Sequence, residues 1–155
     1  MREVVSVSDL SIGEQVAQAT YLFSREALVR YAGASGDFNP IHYRDSVAKS
    51  VGLPGVLAHG MLTMAAAVQC VVEWIGDSGR ILDYQARFTR PVVVPGEGGV
   101  ELNIVGKVAT VDPQAGTARV DLTATVAGHT VLARAQVMVR VDEPAVDERR
   151  VDTRD

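Results

Sequence analysis

Cysteine is nearly absent from this chain. Cys70 stands alone among 155 residues, so no internal disulfide can staple the fold and no thiolate cluster can hold zinc. The three histidines, His42, His59 and His129, show neither HExxH nor CxxC-type spacing, which leaves no metal motif. Basic residues do not outnumber acidic ones: 15 Lys and Arg face 19 Asp and Glu, for a net charge of -4. No basic stripe runs along the chain, which argues against nucleic acid as a partner. Long apolar runs are scarce too. The only one, residues 60–75, is shorter than a membrane span and carries Gln69 and Glu73. The N-terminus, MREVVSVSDL, lacks the apolar core of a signal peptide. The expectation is a soluble, cytoplasmic protein.

What is present is an ordinary globular composition, 47% hydrophobic and 22% charged, at a length that suits one domain with a core of its own. That domain is expected over residues 4–141. The remaining tail, DEPAVDERRVDTRD, is rich in charge and poor in apolar side chains. It cannot repay its ordering entropy and is expected to be disordered. Cys70 lies among apolar residues and is expected to be a buried, inert thiol.

Local patterns place the elements. Residues 15–23 read as a first strand. Ser24 is a good N-cap for a helix over 25–34 with Leu28 and Tyr31 on its buried face, broken by Gly33, Ser35 and Gly36. Pro40 pushes Asn39 toward extended backbone, so 37–41 reads as a loop. A short helix over 44–50 follows. Residues 60–75 form a long helix, apolar nearly all round and so expected to be buried nearly all round, with a narrow polar strip at Gln69 and Glu73. Beyond it the period is two. Tyr84, Ala86 and Phe88 mark one strand, and 100–111 a second, interrupted by Gly106. Val120, Leu122, Ala124 and Val126 mark a third. Val131, Ala133, Ala135, Val137 and Val139 mark a fourth. Successive strands joined by short turns predict an α+β fold: a curved antiparallel sheet wrapped around one long hydrophobic helix.

Chemistry concentrates in residues 31–61. Asp37 and His42 stand five apart across the Asn39-Pro40 break, and Gly60 opens the long helix. An acid, a base and a helix N-terminus are the parts needed to move water on or off a carbon–carbon double bond beside a carbonyl. Each residue also has a plainer reading. Asp37 could serve only the turn, Asn39 could organise the loop, His59 could cap the helix or fill space, and Gly60 could permit tight packing. Arg87 and Arg90 read as solvated strand arginines, or as contacts for phosphate. His129 reads as turn surface.

Three stretches together, GASGDFNPIH (33–42), AHGMLT (58–63) and RFTRPVVVPGE (87–97), resemble the MaoC-like (R)-specific enoyl hydratases and dehydratases. The likeness spans about residues 8–140 and is closest to the B-type subunits of (3R)-hydroxyacyl carrier-protein dehydratase. It implies the hot-dog fold and the reversible hydration of trans-2-enoyl thioesters. It implies Asp37 and His42 as the catalytic pair, the Gly60 amide as the thioester-oxygen site, and Asn39 as the motif asparagine beside the substrate. A serine that some relatives carry in the long helix falls near Ala65, so its hydrogen bond is missing here. No cofactor or metal is implied. The expected partners are an acyl-CoA or acyl carrier protein substrate and a second hot-dog subunit, identical or different. Two other functions fit the same fold: a thioesterase, which places a carboxylate on the long helix, and a non-catalytic acyl-binding subunit of a heterodimer. Glu73, the only acid on that helix, lies far from Gly60, and the intact Asp37 and His42 favour the dehydratase.

Overall fold

The computed structural model describes residues 5–141. The tail from residue 142, and with it the expectation of disorder, lies outside the described residues. Five strands form one antiparallel sheet in the order β1-β3-β4-β5-β2: β1 (Gln15–Phe23), β2 (Ile81–Phe88), β3 (Val100–Asp112), β4 (Thr117–Val126) and β5 (His129–Arg140). Between β1 and β2 the chain makes three helices, α1 (Arg25–Ser35), α2 (Asp45–Ser50) and α3 (Gly60–Ile75). This is the hot-dog arrangement, with α3 against the inner face of the sheet. Among the described residues no helix is long and apolar enough to cross a membrane.

The strands form because their apolar residues alternate, and the inner set closes over α3. Leu102 and Ile104 of β3 and Ala118, Val120, Leu122 and Ala124 of β4 are buried, sharing one core with Ala67, Cys70 and Val71 of the helix. Gly106 does not interrupt β3. It pairs with Ala17 on one side and Leu122 on the other, where a Cβ would meet Leu122, Ala17 and Val120 at 3.0–3.1 Å. Glycine keeps the strand continuous by giving its neighbours room.

Strand β5 departs from simple alternation. Leu122 and Ala124 of β4 pair with Ala135 and Leu132, so β5 spends three residues where β4 spends two. β2 shows the same offset, with Gln85 and Arg87 opposite Gln136 and Ala133. Arg134 supplies the extra residue at φ 47, a bulge that reverses the phase of the strand. Leu132 is therefore buried, and Ala133, expected inward, is only half-buried.

The helices differ from expectation on their faces. Ser24 caps α1 as expected, its hydroxyl accepting the Ala27 N–H, but the buried pair is Leu28 and Ala32 rather than Leu28 and Tyr31. α3 is not buried nearly all round. Met61, Ala65, Gln69 and Glu73, each four residues on from the last, form an exposed strip along it. One sheet covers one side of a helix, and an apolar sequence alone cannot report whether a second surface is supplied.

Candidate active site

The loop after α1 is built from side chains that fold back on their own backbone. Gly36, at φ 76, ends the helix in the left-handed conformation that glycine tolerates. The Asp37 carboxylate then accepts the Asn39 N–H at 3.1 Å, and the Asn39 side-chain oxygen accepts the Ile41 N–H at 3.2 Å. Asn39 thereby caps a single 3-10 turn, Pro40–His42, which replaces the plain loop expected there. Two interlocking turns of this kind are what Asp-x-Asn-Pro encodes.

That turn delivers His42 inward, where it is buried. Its Nδ1 lies 2.7 Å from the Leu57 carbonyl oxygen. A carbonyl only accepts, so Nδ1 carries the proton and Nε2 keeps its lone pair in the neutral ring. Nε2 faces an Asp37 carboxylate oxygen at 3.8 Å. This separation is too long for a direct hydrogen bond and leaves the two groups free to share a small polar molecule between them. The Asp37 side chain is half-exposed, at 51%, so solvent reaches it.

His59 sits beneath this pair. Its ring stacks on His42 with centroids 3.8 Å apart and planes at 23°, and meets Tyr31 at 4.8 Å in a tilted contact. Its Nε2 donates to the Asp37 carbonyl oxygen at 3.1 Å. It makes no side-chain cap to α3, which corrects the capping expectation. Burial holds its imidazole below the usual pKa, consistent with a neutral ring. Donor atoms of Asp37, His42 and His59 lie within 4.8 Å of one another. Two of the four ring nitrogens, His42 Nδ1 and His59 Nε2, are already spent on backbone carbonyls.

Gly60 opens α3, leaving backbone N–H groups of the first turn without intrahelical partners and the positive end of the helix dipole at the site. A cavity of about 370 Å³ meets it, walled by His42, Gly60, Thr63, Phe88, Arg90 and Val131 among others. A Cβ on residue 60 would come within 3.2 Å of the Phe88 ring, so glycine keeps this approach open. Phe88, expected on the inner face of β2, is 51% exposed and flanks this opening instead. Asp37 and Asn39 are not part of the cavity wall; Asp37 reaches it through His42. Arg87 and Arg90 are exposed, as a solvated reading expects, and only Arg90 borders the cavity. His129 is exposed beside the β4–β5 turn. Ala65 lies on the outer strip of α3, while Thr63 borders the cavity.

The structure thus brings Asp37, His42 and Gly60 to one place and gives Asn39 a local organising bond. The bond from His59 to the Asp37 loop was hidden because its partner is a backbone carbonyl 22 residues away in sequence. The one available signal was its position directly before Gly60.

Comparisons with known proteins bear on this arrangement. The family model described as MaoC like domain matches residues 8–126. The 3-hydroxyacyl-thioester dehydratase X of Mycobacterium tuberculosis is 42% identical over 71 residues, an alignment taking in 46% of this chain but 24% of that protein. A solved structure titled MaoC-like dehydratase superimposes with a TM-score of 0.85 at 37% identity, over 88% of this chain and 42% of the other. The R-hydratase PhaJ1 of Pseudomonas aeruginosa, in unliganded form, gives 0.76 at 26% identity over 89% and 86%.

Proposed function

The chain belongs to the MaoC-like domain family, and from that premise we propose that it catalyses the reversible hydration of trans-2-enoyl thioesters to (3R)-hydroxyacyl thioesters. The observation that carries this reading is the tautomer of His42. With Nδ1–H committed to Leu57, the basic Nε2 faces the Asp37 carboxylate across a gap of 3.8 Å. A water held between them donates one hydrogen to each. In hydration its oxygen bonds to the β-carbon as one of its protons passes to the pair. The double-bond electrons move toward the thioester oxygen, and the Gly60 N–H stabilises the charge that develops there. The proton held by the pair then goes to the α-carbon. Dehydration reverses each step. Acid and base on one side of the substrate give a syn course. A group of this kind contributes roughly 10²- to 10⁴-fold, and one oxyanion donor about 3 kcal/mol.

The substrate carrier is coenzyme A or an acyl carrier protein, and Arg90 at the cavity offers a cation to its phosphates. The second hot-dog subunit expected from the resemblance has a place to sit, because β1 and β2 are open sheet edges and α3 keeps an exposed strip. Hydrolysis finds less support. Glu73, the only acid on α3, belongs to that strip and borders a different cavity.

Loss of enoyl thioester absorbance on short and long trans-2-enoyl-CoA tests the proposal, with wild type and Asp37→Asn run side by side. Turnover abolished by the substitution is the expected result. Activity that survives it, or release of free thiol instead of hydration, overturns the reading.

A further inference from the structure

His59 is 1% exposed. Burying an imidazole removes two polar nitrogens from water, and here only one of them is repaid. Nε2 donates to the Asp37 carbonyl, while Nδ1 is buried with no hydrogen-bond partner among the described residues. A phenyl ring of nearly the same shape would fill this space without that desolvation penalty. Space-filling therefore does not account for a histidine here. Two contacts that this ring combines do account for it. It holds the backbone of Asp37 and lies face to face with His42.

We propose that His59 is a positioning residue, whose Nε2–H bond to the Asp37 carbonyl and whose stack on His42 lock both groups in register with the N-terminus of α3. The proposal rests on the reading of Asp37 and His42 as the reacting pair. The far end of the Asp37 loop is tied to Leu57, whose N–H donates to the Ile41 carbonyl and whose own carbonyl accepts from His42 Nδ1. At the Asp37 end the bonds are local: the Asp37 N–H donates to the Ser35 hydroxyl, the Asn39 N–H to the Asp37 carboxylate and the Ile41 N–H to the Asn39 side chain, and these fix its shape without fixing where it lies. The His59 bond reaches from the residue before α3 to the Asp37 end of the loop and supplies the placement there. A shift of about 1 Å in such a group costs about 100-fold in rate.

Two variants of the full chain separate the two contacts. His59→Phe keeps a ring against His42 and removes the donor. His59→Gln gives up the ring and places an amide N–H where Nε2–H was. Steady-state hydration of trans-2-enoyl-CoA and amide hydrogen exchange at Asn39 are measured for both, beside wild type, Asp37→Asn and His42→Ala. In His59→Phe, kcat is expected to fall about 10- to 100-fold with KM within about threefold, and Asn39 to exchange about tenfold faster. His59→Gln is expected to recover most of both losses. Wild-type kcat and exchange in His59→Phe overturn the proposal, as do equal losses in the two variants. Unfolding of both variants, seen as lost near-ultraviolet circular dichroism, overturns it in favour of a purely structural role. If Asp37→Asn and His42→Ala stay active, or the wild type is inactive alone, the function proposed above fails instead. Asn39 exchange then still decides whether His59 places the loop.

Discussion

The two ends of α3 make a natural experiment. Each borders a cavity of similar size, about 370 Å³ at the N-terminal end and about 340 Å³ at the other. Each offers a carboxylate and a second protic side chain: Asp37 with His42 at one end, Glu73 with Cys70 at the other. What differs is what the backbone does to them. At the N-terminal end the helix presents unpaired N–H groups, and the Leu57 carbonyl fixes a basic nitrogen toward the acid. At the far end the helix presents carbonyls, and burial pushes the Cys70 thiol up to about 11, helped by Glu73. Similar side-chain inventories therefore become a carboxylate facing a basic nitrogen at one end and a thiol held protonated at the other. Helix polarity and one well-placed carbonyl make the difference.

The contrast breaks most visibly in turnover. Asp37→Asn and His42→Ala should each lower kcat/KM about 10³-fold or more, whereas Glu73→Gln should stay within about threefold of wild type by the same assay. A loss at Glu73 as large as at Asp37 would erase the distinction between the ends. Thiol labelling probes the quiet end. Cys70, 3% exposed, should react with a maleimide about two orders of magnitude more slowly than a free cysteine, until denaturant is added. At the N-terminal end, Gly60→Ala keeps the N–H but sets a methyl group against Phe88 in the cavity wall. Its kcat should fall about tenfold with Tm little changed.

Smaller effects sharpen the comparison through stability. His59 is held below its usual pKa chiefly by burial, so the native chain binds this proton less readily than the unfolded chain, whose histidine titrates near about 6.5. Stability therefore rises with pH across the interval between the depressed native value and about 6.5, and is flat above it. The thermal midpoint should fall from about pH 7.5 to about pH 5.5, and His59→Phe should flatten that slope. Smallest of all, Arg134→Gly relieves a left-handed residue in the β5 bulge. It should raise unfolding free energy by about 0.5 kcal/mol in urea titrations, and no effect or a loss would mean that the Arg134 side chain is needed there.

Much of the fold was legible because its signals are local. Ser24 as a cap, Gly36 as a breaker and the apolar run from Gly60 set β1, α1 and α3 at or within a residue of their observed limits. Asp37, His42 and Gly60 were also legible, through the resemblance rather than through periodicity. The remainder was hidden for a common reason. The bulge at Arg134 depends on how two neighbouring strands count residues. The open strip on α3 depends on what does not cover it. The bond from His59 ends on a carbonyl, which carries no side-chain identity for a sequence to display. Each is a relation between distant parts, and local composition is silent about such relations.

The open strip on α3 ties folding to mass action. Met61, 59% exposed, gains nothing from the sheet of its own chain. Any body that covers the strip contributes to stability only in proportion to the logarithm of its concentration over its dissociation constant. If that body is a second copy of the chain, dilution loosens the same helix whose first turn borders the cavity, and the thermal midpoint and the specific activity should decline together as the protein is diluted.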